Sequence, residues 1–200
     1  MKVIFLDIDG VLNVNHRERD DYGSAFHDNF VENLKRIIDS TGAKIVVSSS
    51  WRQSGLDAIL EMWDLRKLPG EVIDVTTSIR LQRGMIYFHR NISDHEKSRY
   101  RGYSLPRGLE IDYWLKEDGG LDNIYYQKEW QVKNLEKSKV KNYVIIDDDA
   151  DMLFGQAPHF VKCSGNHDHL DSIEGLGLTS KCADKAIEIL NTNYIDLHFK

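Results

Sequence analysis

MKVIFLDIDGVLN, residues 1–13, is the stretch on which the fold turns. Val3, Ile4, Phe5 and Leu6 read as a buried strand that delivers Asp7, Asp9 and Gly10, with Asn13 just beyond. Strand alternation sets Asp7 and Asp9 on one face, a single residue apart. Carboxylates held together at a strand end repel each other and lose hydration. Their placement therefore points to a cation or to acid–base chemistry. Gly10 lets the backbone turn tightly as it leaves the strand. The plainer reading is a pair of acids that only turn the chain, and it weakens as later segments are read.

Outward from that strand, the hydrophobic period alternates between two and three to four residues. A polar stretch, Asn15 to Tyr22, precedes a helix from about Asp28, with Phe30, Val31, Leu34, Ile37 and Ile38 on one stripe and Gly42 at its C-cap. KIVVSSSWR (44–52) is an apolar strand that ends in Ser48, Ser49 and Ser50. Leu56, Ile59, Leu60 and Trp63 mark a second helix, stopped by Pro69-Gly70, and Glu71 to Val75 reads as a short strand. Residues 78–106 lose any period and read as a loop-rich insertion. It holds Arg80, Arg83, Arg90, Lys97, Arg99 and Arg101 against only Asp94 and Glu96. A solvated mobile loop and a substrate-facing one are both open for it.

A helix resumes at Arg107 with Ile111, Trp114 and Leu115 at core spacing, followed by Gly119-Gly120 and a charged stretch containing Trp130 and Leu135. NYVIIDDDADM (142–152) is a buried strand running into acids, and another strand is expected at about Phe160 to Cys163. Ala183, Ala186, Ile187 and Leu190 mark a last helix, and Tyr194 to Phe199 is expected to add an edge strand. Such alternation predicts an α/β fold, a central parallel sheet with helices on both faces. In such sheets the ligand site lies at the carboxyl ends of the strands.

The bulk figures set bounds. Two hundred residues suit one domain, 1–200, with the insertion at about 78–106 inside it. A net charge of −6 argues against general coating of nucleic acid. Cys163 and Cys182 are too few for a disulfide framework and suggest a reducing compartment. The chain opens directly on a strand, with no signal peptide, and no apolar stretch approaches the ~20 residues that cross a bilayer. A soluble, cytoplasmic protein is expected, with no membrane association and no obligate protein partner.

Asp147, Asp148, Asp149 and Asp151 crowd the end of a buried strand and would repel each other strongly without a cation. Oxygen-only ligands favour magnesium. Arg52, just after the serines, suits a forked contact to phosphate or a surface ion pair. Cys163, His167 and His169 offer zinc-compatible donors, but their irregular spacing favours a loop. Trp51, Tyr100 and Tyr103 lie near basic residues and would stack a base, although Trp51 reads first as core.

FLDIDGVLN, TGAKIVVSSSWR, RGLEIDYWL, YVIIDDDADM and a GLT before the final helix together span most of the chain. This combination resembles phosphatases of the haloacid dehalogenase (HAD) superfamily. Within them it is most similar to the HAD domain of Swiss Army Knife RNA repair proteins, and more distantly to the phosphatase half of bacteriophage polynucleotide kinase-phosphatase. The resemblance implies a three-layer, Rossmann-like HAD fold. It implies that Asp7 is the nucleophile that becomes an aspartyl phosphate and Asp9 the general acid/base. Ser48 or Ser49, Ser48 preferred, would bond the transferring phosphoryl group. The third motif is usually a Lys; here Arg107 is the best-placed cation and Arg101 the fallback. Mg²⁺ would be held by Asp7, Asp9 and Asp148, with Asp147 or Asp151 in support, while Gly10, Arg52 and Arg101 would contact substrate.

The implied activity is a magnesium-dependent phosphomonoesterase acting on a terminal phosphate of a nucleotide or of an RNA or DNA end. The basic insertion suits adjacent phosphates. The rivals are a non-catalytic nucleotide or nucleic-acid binding module that retains a metal site, and a small-metabolite phosphatase or phosphotransferase. These residues include no ligase or kinase segment, and no large cap fits between the first helix and the second strand. The site is expected to be open unless the insertion closes it.

Overall fold

The computed structural model describes residues 1–14, 19–82, 85–89, 103–121, 128–165 and 172–199. From the amino end, β1 (Lys2–Leu6) leads into a short hairpin, β2 (Arg19–Asp20) and β3 (Gly23–Ser24), and then helix α1 (Asp28–Thr41). Next come β4 (Lys44–Val47), a 3-10 turn (Ser50–Ser54), α2 (Leu56–Leu65) and β5 (Val72–Val75). β6 (Ser78–Gln82), β7 (Met85–His89) and β8 (Tyr103–Ser104) precede α3 (Arg107–Glu117) and α4 (Lys128–Lys137). The chain continues with β9 (Asn142–Asp147), a second 3-10 turn (Phe154–His159), β10 (Phe160–Lys162), α5 (Ser180–Asn191) and α6 (Tyr194–His198).

Five of these strands form the expected parallel sheet, in the order β10-β9-β1-β4-β5. β1 is central because it is apolar on both faces: Val3, Ile4, Phe5 and Leu6 are all 0 % exposed. The period of two sorts them between two cores. Ile4 and Leu6 join Ile45, Val47, Val144 and Ile146 beneath α1, α2 and α5. Val3 and Phe5 join Val46, Tyr143 and Ile145 beneath α3 and α6. Phe5 meets Trp114 and Tyr143 edge-on, with ring centroids 5.3 and 5.8 Å away. The three-layer α/β arrangement follows. Gly42 closes α1 as expected: its φ of 64° is left-handed, and its N–H bonds to Ile38 O at 2.8 Å.

Two expectations are corrected. Tyr194–Phe199 adds no edge strand; Tyr194–His198 is a short helix. The Asn193 side chain accepts the Ile195 N–H at 2.9 Å and so caps it. Adjacent Tyr194 and Ile195 are both buried. The segment read as loop-rich holds a small antiparallel sheet, order β7-β6-β8, in its described residues. β6 starts just past the tip of β5 and β8 ends just before Arg107, so the base of this sheet borders the tips of the parallel strands. Among the described residues, no helix is long and apolar enough to cross a membrane.

Candidate active site

Backbone bonds extend each strand ladder by one residue and bring the tips level. Asp7 N–H donates to Ile146 O (3.0 Å), Ser48 N–H to Leu6 O (2.8 Å), Thr76 N–H to Val47 O (3.0 Å) and Cys163 N–H to Asp147 O (2.8 Å). Asp7 continues the parity of Val3 and Phe5, which aims it toward the α3 side of the sheet. There Arg107 Nη1 lies 3.3 Å from Asp7 Oδ1, and Arg107 Nε lies 3.7 Å from Asp147 Oδ2.

The start of α3 is fixed to hold that guanidinium. Asp151 Oδ2 accepts the Arg107 N–H at 2.8 Å, and Asp151 O accepts the Gly108 N–H at 3.2 Å. An acid at a helix N-terminus also suits the dipole. Gly108 is packed so closely that a Cβ would run into Leu153 N and Gln156 Oε1. The Gln156 amide joins the two segments, accepting from Leu153 N–H (2.9 Å) and donating to Gly108 O (2.8 Å).

Asp7, Asp147 and Asp148 each present a carboxylate oxygen within 4.8 Å of the others. Gly10 makes this possible. Its φ is +75°, and a Cβ there would overlap the Asp148 carboxylate, so the glycine clears the space that Asp148 fills. Its own N–H bonds to Asn13 O at 2.7 Å. Burial raises the Asp7 carboxyl above its ordinary value, against the pull of Arg107 and a hydrogen bond from Ser49. Burial also pushes Asp147 up to about 8, with the neighbouring Asp7 charge adding to the rise. Asp147 Oδ1 accepts the Asp149 N–H at 2.9 Å, but the buried Oδ2 accepts no hydrogen bond.

Asp9 departs from the expectation. β1 ends at Leu6 and the chain winds into a turn, with Val11, Leu12 and Asn13 N–H groups all on Ile8 O. Asp9 therefore does not share a strand face with Asp7, and its carboxylate is not part of the acidic cluster. Asn13 Nδ2 donates to Oδ1 at 3.0 Å, while Trp51 Nε1 (3.0 Å) and Ser50 Oγ (3.4 Å) donate to Oδ2. Trp51, which the sequence offered as core or as a base-stacking ring, is thus a partner of Asp9.

A family model described as the HAD domain in Swiss Army Knife RNA repair proteins matches residues 3–168. The chain belongs to this family of HAD domains. No curated protein and no solved structure matches it.

The other residues singled out in the HAD domain's sequence fare differently. Of the two serines, it is the Ser49 hydroxyl that acts on Asp7, opposing the rise of its carboxyl. Ser48 Oγ instead receives Thr76 Oγ1 at 3.5 Å, because the strand ends at Val47 and Ser49 already caps the 3-10 turn. Arg52 is not a free phosphate fork: its guanidinium is ion-paired with buried Glu110 and donates to Ser49 O at 2.6 Å. Glu110 Oε1 also accepts the Ile79 N–H at 2.9 Å, so one carboxylate ties the serine turn, α3 and the insertion sheet together. Arg101, Arg83, Arg90, Lys97, Arg99, Tyr100, His167 and His169 lie outside the described residues. Cys163 is buried, and burial and the neighbouring Cys182 thiol push its own thiol up, which is unlike a zinc thiolate.

The donor set fits a hard divalent cation. Three carboxylates converge, one buried oxygen lacks a donor, and two of the acids hold protons more tightly than usual without one. Asp151, expected as a possible ligand, is used instead to cap α3.

Proposed function

We propose that this HAD domain is a magnesium-dependent phosphomonoesterase that works through an aspartyl phosphate on Asp7. The observation that carries the reading is Asp7 itself, a buried carboxylate flanked at once by Arg107, Ser49 and two further acids. Asp7, Asp147 and Asp148 would hold Mg²⁺, which when bound screens the nucleophile from an anionic substrate and polarises the phosphoryl oxygens.

The protein's own groups supply the rest. Asp7 attacks phosphorus as the bond to the leaving oxygen breaks. Asp9 gives that oxygen a proton, then takes one from the water that attacks the aspartyl phosphate and releases the Asp7 carboxylate. Arg107, spanning Asp7 and Asp147, neutralises charge on the transferring group, and the Ser49 hydroxyl donates to it. The RNA repair family supports a substrate that is a terminal phosphate on a nucleotide or nucleic-acid end. The test is phosphate release from an aryl phosphate, with and without Mg²⁺, by wild type and Asp7→Asn, followed by 3′- and 5′-phosphorylated oligonucleotides. Metal-dependent release that Asp7→Asn abolishes is expected. Equal release by the variant removes Asp7 as nucleophile, and salt-dependent oligonucleotide binding without turnover would make this a binding module.

A further inference from the structure

Trp51 makes a contact that a core residue does not need. Its ring is held on several sides: Phe26 lies 5.7 Å away at a 52° tilt, and the Arg66 guanidinium stands 5.4 Å from it and 4.3 Å over Phe26. Arg66 is in turn gripped by Asp20 through two bonds, Nε to Oδ2 (2.9 Å) and Nη2 to Oδ1 (2.6 Å). Gly23 backs onto the far edge of the indole, where a Cβ would approach Cη2 to 3.3 Å. The β2–β3 hairpin, the end of α2 and the serine turn thus fix the indole. The N–H of that fixed ring points at Asp9 Oδ2.

We infer that Trp51 is a positioning residue for the leaving-group acid, fixing the Asp9 carboxyl at the angle that meets the departing oxygen. This rests on the reaction proposed above. With Asn13 on Oδ1 and both Trp51 and Ser50 on Oδ2, the carboxyl plane is held from both oxygens. A pivoting acid would meet the leaving oxygen only part of the time, and proton transfer depends on that alignment. Asp9 delivers its proton as the P–O bond breaks, so the demand falls on poor leaving groups. An aryl oxide departs without help.

The test is a leaving-group series on Trp51→Phe, which keeps an aromatic ring but deletes the donor and the outer ring edge beside Gly23. kcat/KM reports the steps through phosphorylation of Asp7. It is expected to fall about 10- to 100-fold for an alkyl phosphate and less than about 3-fold for 4-nitrophenyl phosphate, less than the roughly 10²- to 10⁴-fold that a general acid itself supplies. Trp114→Phe is the control, since Trp114 Nε1 donates to Asp74 Oδ2 (2.8 Å) within the sheet, away from Asp9. It should leave the ratio of the two substrates unchanged. Equal losses on both substrates, or no loss on either, overturn the inference. If Trp51→Phe does not fold, the indole N–H resonances of the four tryptophans in folded wild type and Asp9→Ala decide it: one must shift, and four unmoved signals refute the contact. Wild type inert toward both substrates would instead overturn the phosphatase reading, and this inference with it.

Discussion

Replacing Glu110 by Leu strands a buried guanidinium. Arg52 is 8 % exposed and Glu110 2 %, and the carboxylate is the acid that pairs with it. Breaking such a pair from one side costs about 3–5 kcal/mol, because the remaining charge stays desolvated. The lost acceptor for Ile79 N–H adds about 1 kcal/mol. In a chain of this size each kcal/mol moves Tm by about 2–4 °C, so a fall of roughly 8–24 °C is expected. Arg52→Met with Glu110→Leu removes both charges and should recover most of that loss, leaving chiefly the Ile79 deficit. Circular-dichroism melts and urea titrations of the two single variants and the double variant close the cycle. A Glu110→Leu loss below about 1 kcal/mol, or a double variant no better than the singles, refutes the argument. The folded double variant also reports on Arg52 as a substrate residue: unchanged KM for phosphate esters is expected, since the guanidinium faces Glu110 and Ser49 O.

Other outcomes follow from single contacts. His159 donates from Nδ1 to Tyr143 O (2.8 Å), which leaves Nε2 to accept from His198 Nε2 (2.7 Å), and burial holds its pKa down to about 3 from 6.5. The unfolded chain therefore takes up a proton that the folded one refuses. Stability is full above about pH 6.5 and is lost as pH falls toward 3, by up to about 1.4 kcal/mol per unit. Urea midpoints between pH 6.5 and 5 should show this slope in wild type and a flatter one in His159→Gln; parallel slopes would refute it. Gly10→Ala puts a Cβ into the Asp148 carboxylate at a left-handed φ. It should cost about 1–2 kcal/mol and weaken Mg²⁺ binding at least about tenfold by calorimetry; unchanged affinity would refute the role of Gly10.

What was legible came from local regularities. The unbroken apolar run Val3-Ile4-Phe5-Leu6 foretold a buried strand, and the stripe Phe30-Leu34-Ile37 with Gly42 foretold α1 and its end. Asp7, Asp147 and Asp148 could be placed near one another because strand tips in a parallel sheet share an edge; Arg107, at a helix start, was placed only by the family resemblance. The rest depended on contacts distant in sequence. Trp51 reaches Asp9, and Arg52 reaches Glu110, across segments whose relative placement no period encodes. Ser48 and Ser49 could not be ranked, because strand parity stops applying where β4 gives way to a 3-10 turn. At Tyr194–His198 an alternating pattern suggested β, but the Asn193 cap and the pocket beside Tyr143 and His159 favoured a helix.

The central strand pairs with two segments far apart in sequence: Val3 aligns with Lys44 on one side and with Tyr143 on the other. During synthesis the ribosome therefore releases the nucleophile long before the acids that complete its surroundings. Such distant parallel pairing is slow to form and leaves an apolar edge unpaired meanwhile. A nascent chain that has not yet reached Asp147 holds Asp7 without its acidic neighbours, and it should engage chaperones before it can engage a metal.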